Sequence, residues 1–275
     1  MSQNLETSPI GIFDSGVGGL SVLKAIRAQM PQEAIIYLGD QGHVPYGSRP
    51  FDEVQAFSEQ ITRFLLAKGA KLIVVACNAA SAAALQYLRQ IFPRVSFIGM
   101  EPALKPAAEQ TKSGVVGVLA TPATFQGVLY ASTVERFARG VTVLQDTCPG
   151  LVGQIEKGEL DTPETESILR AALHPMLEQG IDTVVLGCTH YPFVIPLIER
   201  IAGKNVRVID PAPAVARQTG RLLASAGMRQ PAGTKTAVAY YTTAAAESMQ
   251  KLLPKLLGES GVVKSLRWMD GKLSE

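Results

Sequence analysis

Short apolar runs recur along this chain, each closed by a small or turn-forming residue and followed by a stretch whose apolar positions repeat with helical period. Runs of this kind read as strands of a parallel sheet, buried on both faces and therefore continuous rather than alternating. Strands are predicted at residues 10–13, 35–38, 72–76 and 95–99, with helices ending before Pro31, running from about 52 to Gly69, and from Asn78 to about 91. The pattern then restarts, with strands at 115–119, 141–144, 184–186 and 206–209 and a helix after Thr121-Pro122. Thr162-Pro163-Glu164 opens another helix, with an N-cap residue, Pro at the first helical position and an acid in the first turn. Gly180 closes it. A tail adds helices at about 214–226 and 244–257 and strands at 237–241 and 262–268.

The restart has landmarks. Gly11 and Gly117 lie 106 residues apart, Asp40 and Asp146 also 106, and Cys77 and Cys188 111, in the same order. This predicts a duplicated α/β unit with a short insertion. The fold class is α/β: two pseudo-symmetric domains, each a mainly parallel sheet flanked by helices. The expected limits are residues 1–98 plus 209–275 for the first domain, which the tail completes, and 99–208 for the second. Both crossings then lie between the domains and leave a cleft that can open and close.

Composition narrows the classes. With 26 basic and 24 acidic residues scattered along the 275, no basic stripe offers itself to nucleic acid or to a membrane surface. No apolar run approaches the roughly 20 residues of a membrane helix, and the polar start, residues 1–8, lacks a signal peptide's apolar centre. A cytoplasmic protein is expected, its three cysteines reduced. Their odd number, without Cys-x-x-Cys, speaks against a disulfide frame or structural zinc. No Lys stands in a recognisable cofactor motif, so neither cofactor nor metal is expected.

The candidate chemistry lies at strand ends, where open α/β sheets bind ligands. Cys77 and Cys188 each close a predicted strand, precede a predicted helix and are followed by hydrogen-bonding groups, Asn78 in one case and Thr189-His190 in the other. A helix start favours both a thiolate and a bound carboxylate. His190, two residues beyond Cys188, is poorly spaced for a shared metal but able to tune the thiol. Asp14-Ser15 should share the sheet edge of Cys77. Gly16-Val17-Gly18-Gly19 resembles a phosphate loop only weakly, and its N–H groups could hold a carboxylate instead. Asp40 and Glu156 are candidate acids on loops. Cys148 reads as structural, and His43 and His174 as surface residues.

Together, Phe13–Leu20, Leu38-Gly39-Asp40, Pro45-Tyr46-Gly47, Ala76-Cys77-Asn78 and Gly187–Pro192 resemble the glutamate racemases of the aspartate/glutamate racemase superfamily. The resemblance implies a cofactor-independent enzyme interconverting L- and D-glutamate for peptidoglycan synthesis, with the substrate between two α/β domains. It further implies that Cys77 acts on D-glutamate with help from Asp14, and Cys188 on L-glutamate with help from His190 and Glu156, Asp40 being another acid of the site. Substrate contacts are implied for Asp14, Ser15, Pro45, Tyr46, Gly47, Asn78, Ala79, Thr189 and His190, and a homodimer is implied as the assembly. Ala79 stands where the family usually has Thr, which keeps aspartate or another acidic amino acid open as substrate. A cysteine hydrolase built on Cys188 and His190, or a non-catalytic binding protein, are the other readings.

Overall fold

The computed structural model describes residues 7–231, 233–234 and 237–275, so most of the polar start of the chain lies outside the described residues. The first unit runs β1 (Ile10–Asp14), α1 (Leu20–Gln29), β2 (Ile35–Gly39), α2 (Phe51–Ala67), β3 (Leu72–Val75), α3 (Asn78–Ile91) and β4 (Phe97–Gly99). The second runs α4 (Leu104–Gln110), β5 (Val115–Ala120), α5 (Pro122–Gln126), α6 (Val128–Phe137), β6 (Thr142–Asp146), α7 (Leu151–Glu156), α8 (Pro163–Glu178), β7 (Thr183–Gly187), α9 (Ile195–Ala202) and β8 (Arg207–Ile209). The tail supplies α10 (Ala212–Ser225), β9 (Val238–Thr242), α11 (Ala246–Leu257), β10 (Val263–Ser265), β11 (Arg267–Met269) and β12 (Lys272–Ser274).

Two parallel sheets result. One has the order β10-β9-β2-β1-β3-β4, the other β6-β5-β7-β8. The shared run β2-β1-β3-β4 and β6-β5-β7-β8 is the repeat seen in sequence. Gly11 pairs with Ile36 and Ile73, and Gly117 with Leu144 and Val184, so each occupies the second or third place of a central strand. A methyl group there would stand 2.9 Å from Ile73 Cδ1 and 2.8 Å from Met176 Sδ respectively. Both glycines therefore persist because neighbouring side chains close over the strand. The tail joins the first sheet through β9 on β2 and packs α10 on α1. β1 and β3 are buried throughout, which is why their runs are apolar without alternation.

Local chemistry accounts for most boundaries. Thr162 Oγ1 accepts the Thr165 N–H at 3.3 Å and caps α8, and Gly69 and Gly180 take left-handed φ of 84° and 80° beyond the ends of α2 and α8. Three expectations change. The single helix expected after Thr121 is two, α5 and α6, because Gly127 is extended between them and lies against Ala82. The helix expected directly after Cys188 is replaced by a bend and a short 3₁₀ turn at Tyr191–Val194. Pro192 and Pro196, which lack N–H donors, delay the α-helix to Ile195. The last strand stops at Ser265, and the chain turns through Asp270 and Gly271, with φ of 47° and 71°, into the hairpin β11–β12. Among the described residues, no helix is long and apolar enough to cross a membrane.

Candidate active site

Both repeated strand ends open onto one cavity. Cys77 follows β3 and caps α3 in extended conformation, its Sγ accepting the Ala80 N–H at 3.4 Å. Cys188 follows β7 in the other sheet. A tight cavity of about 20 Å³ is lined by Ser15, Pro45, Tyr46, Gly47, Cys77, Asn78, Ala79, Thr121, Val152, Cys188, Thr189 and His190. The lining takes in every expected substrate-contact residue except Asp14. Thr121 and Val152 were not anticipated: Thr121 follows β5 as Ser15 follows β1, and Val152 sits on a six-residue helix too short to leave a periodic signal.

The two thiols have different neighbours. Cys77 Sγ lies 3.8 Å from Ser15 Oγ. Burial pushes its thiol well above the ordinary range, and the Asp14 carboxylate adds to the rise. Beside Cys188, His190 Nδ1 lies 3.7 Å from Sγ while Nε2 is 2.6 Å from Glu156 Oε1. Burial draws the His190 imidazolium down, but the Cys188 sulfur and the Glu156 carboxylate hold it well above the usual histidine value. Burial likewise raises Glu156, and His190, the Val17 N–H and Gln41 bring it below the usual glutamate value.

The glycine turn after β1 has its N–H groups occupied by the protein's own carboxylates. Asp14 Oδ2 accepts from the N–H of Gly16 at 3.1 Å and of Gly19 at 3.0 Å. Glu156, the last residue of α7 rather than the loop acid expected, accepts through Oε1 from Val17 N–H at 2.8 Å and through Oε2 from Gln41 Nε2 at 2.9 Å. The N–H groups of Gly16, Val17 and Gly19 are thus taken up within the protein rather than left for a bound phosphate or carboxylate. Further bonds join the two units here: Ser21 Oγ donates to the Thr189 carbonyl at 2.9 Å, and Thr189 Oγ1 to Asp14 Oδ1 at 3.3 Å. Burial raises Asp14 above the usual aspartate value despite His190 and the Gly19 and Gly16 N–H groups.

Asp14, Asp40 and Glu156 thus stand behind the cavity wall: Glu156 behind His190, and Asp40 behind Tyr46, whose hydroxyl donates to it at 2.6 Å. Burial favours the protonated form of Asp40, but bonds from His43, Thr243, Tyr46 and Trp268 bring it below the usual aspartate value. His43 is not the surface residue expected, since its ring is bonded to Asp40 and stacked on Phe57 at 4.0 Å. His174 is exposed, and Cys148 is buried in the second unit's core, as read from sequence. Among the described residues, no three His, Cys, Asp or Glu side chains are grouped as a metal site.

The His190–Glu156 pair predicts a pH window. The lowered Glu156 stabilises the fold above its ordinary value of 4.5, and this contribution is lost as pH falls through the folded-state value. The raised His190 contributes fully below 6.5, and that part is lost as pH rises towards its folded-state value. Thermal melts of Glu156→Gln against the native chain should therefore differ most between about pH 4.5 and 6.5 and converge on either side. A difference independent of pH would contradict the ion pair.

The sequence comparisons agree with this geometry. Residues 18–219 match the family model described as Asp/Glu/Hydantoin racemase. A glutamate racemase of Roseiflexus sp. is 49% identical over 249 residues, covering 90% of this chain and 92% of that protein. Among solved structures, a glutamate racemase isoform from Bacillus anthracis superposes with a TM-score of 0.84 at 33% identity, covering 94% of this chain and 97% of that one. A glutamate racemase from Francisella tularensis, solved in complex with D-glutamate, gives a TM-score of 0.82 at 28% identity, covering 94% and 97%. Match length, identity and a shared two-sheet fold place this chain in the Asp/Glu racemase family, among its glutamate racemases.

Proposed function

We propose that the chain interconverts L- and D-glutamate without a cofactor, by two-base transfer of the α-proton between Cys77 and Cys188. The observation that carries this reading is the delivery of two buried thiols to one cavity by corresponding ends of a duplicated strand. Inverting a carbon requires a base on one face and an acid on the other, and a repeated unit is a direct source of such a pair. In the L-to-D direction the Cys188 thiolate takes the α-proton and the Cys77 thiol delivers its own to the opposite face. In the D-to-L direction the roles exchange. His190, 3.7 Å from the Cys188 sulfur and held charged by Glu156, is placed to exchange a proton with it. Asp14 assists on the Cys77 side.

The α-proton of an amino acid is weakly acidic, so the developing carbanion needs fixed donors in a closed site. Asn78 supports this role. Its amide is buried and neither its oxygen nor its nitrogen has a hydrogen-bond partner among the described residues, although it lines the cavity. Ser15 adds a hydroxyl beside Cys77. Free L- and D-glutamate have equal free energy, so kcat/KM is the same for both at every pH. The different surroundings of the two sulfurs can show only in kcat and KM taken separately.

In this reading the product D-glutamate serves peptidoglycan synthesis in the cytoplasm, and the enzyme works as a homodimer. The test of the chemistry is incubation with L-glutamate in D₂O, followed by chiral separation and proton NMR. Early in the reaction the D-glutamate formed should carry deuterium at the α-carbon while the remaining L-glutamate does not. Equal early deuteration of both would indicate one shared base, and no exchange at all would indicate a binding protein.

A further inference from the structure

We propose that Trp268, on the C-terminal hairpin, is a positioning residue for the substrate-lining turn Pro45–Gly47 and acts on it through Asp40. The inference rests on the proposed use of the cavity for glutamate and adds a specificity element outside both sheets. Trp268 Nε1 donates to Asp40 Oδ1 at 2.9 Å, and Tyr46 OH donates to Asp40 Oδ2 at 2.6 Å. The Asp40 side chain is fully buried, Tyr46 is 1% exposed, and Tyr46 lines the cavity. One carboxylate thus spans from a surface hairpin to the site.

The hairpin is anchored independently. Leu266 is buried and its N–H donates to the Thr242 carbonyl at 2.7 Å, while Lys68, just beyond α2, pairs with Glu275 at 2.7 Å. The indole meets the His43 ring edge-on at 5.2 Å and packs against Phe57 at 5.5 Å, and His43 itself bonds to Asp40. Thr243, just after β9, donates to the same carboxylate at 2.5 Å. With four donors already on it, Asp40 has no free lone pair directed at the cavity. Its work is to fix the phenol of Tyr46, and the tail of the chain supplies two of the groups that fix Asp40. Losing one donor from a buried carboxylate loosens what the others hold.

A turn that touches substrate away from the reacting carbon contributes equally to ground and transition states, so its disturbance raises KM and spares kcat. Trp268→Phe keeps an aromatic ring at this position and removes the N–H. It should raise KM for glutamate about five- to tenfold with kcat within about twofold of the native value. In a Tyr46→Phe background the same change should have no further effect on KM, because the relay is already cut. Unchanged KM in Trp268→Phe, or effects that simply multiply in the double variant, would overturn the proposal. Should the Phe variant not fold, Trp268 is the sole tryptophan of the chain, and its emission reads the relay directly. Tyr46→Phe should then shift the emission maximum, and no shift would overturn the relay. Failure of the racemase reading is distinct, because the native chain itself would then not racemise glutamate.

Discussion

Cys77→Ala and Cys188→Ala should each lower kcat for racemisation by about a thousandfold or more, the scale on which a positioned acid or base contributes. Each variant should nevertheless keep half of the chemistry. With Cys77 gone, Cys188 can still remove the proton of L-glutamate and return one from solvent to the same face. Cys77→Ala is therefore expected to exchange the α-proton of L-glutamate for deuterium without inversion, and Cys188→Ala to do so for D-glutamate. Both thiols are almost fully buried, at 4% and 5% exposure, so removing one sulfur creates only a small void and folding should survive. Chiral chromatography combined with α-proton NMR separates the outcomes. Full racemisation by either variant would end the two-base scheme, and exchange of the opposite enantiomer would reverse the assignment of the sulfurs.

Gly18→Ala should cost about a hundredfold in kcat although it touches no substrate. A methyl group at Gly18 would stand 2.4 Å from His190 Nδ1 and 2.6 Å from Thr189 Oγ1, both on the opposing unit. Gly18 is not among the residues with positive φ, so alanine strains neither the backbone nor the turn by itself. The three nearest atoms it would meet all belong to the unit that carries Cys188. Displacing His190 by even about 1 Å is enough for a loss of that order. Gly16→Ala should act similarly, since its methyl would meet the Glu156 carboxylate. The check is kcat together with the melting temperature: a large fall in kcat with a small change in Tm is expected. A Gly18→Ala enzyme with native kcat would show that the units do not work in this close arrangement.

Part of the molecule was legible in the sequence. The strands were, because a parallel strand buried on both faces must be apolar throughout, as Leu72–Val75 and Thr183–Gly187 nearly are. The duplication was, through the spacing of Gly11, Asp40 and Cys77 and their counterparts. The role of the glycine turn was not. Its N–H groups are filled by Asp14, two to five residues away, and by Glu156, which is 139 residues distant. The same composition serves a phosphate equally well. His43 read as a surface residue because its partners, Asp40, Phe57 and Trp268, are gathered from a loop, a helix and a hairpin. Asp270-Gly271 is a hairpin turn signal, but the strands beside it have three residues each and leave no alternation to recognise.

The sequence by itself determined a repeated α/β chain with a thiol at each of two corresponding strand ends, because strand burial and turn chemistry act over a few residues. Only the tertiary structure decided that both thiols share one cavity, that Glu156 belongs to His190, and that the tail reaches Asp40. Those facts depend on packing one sheet's loops against the other's, through contacts between residues far apart in sequence that no local pattern encodes.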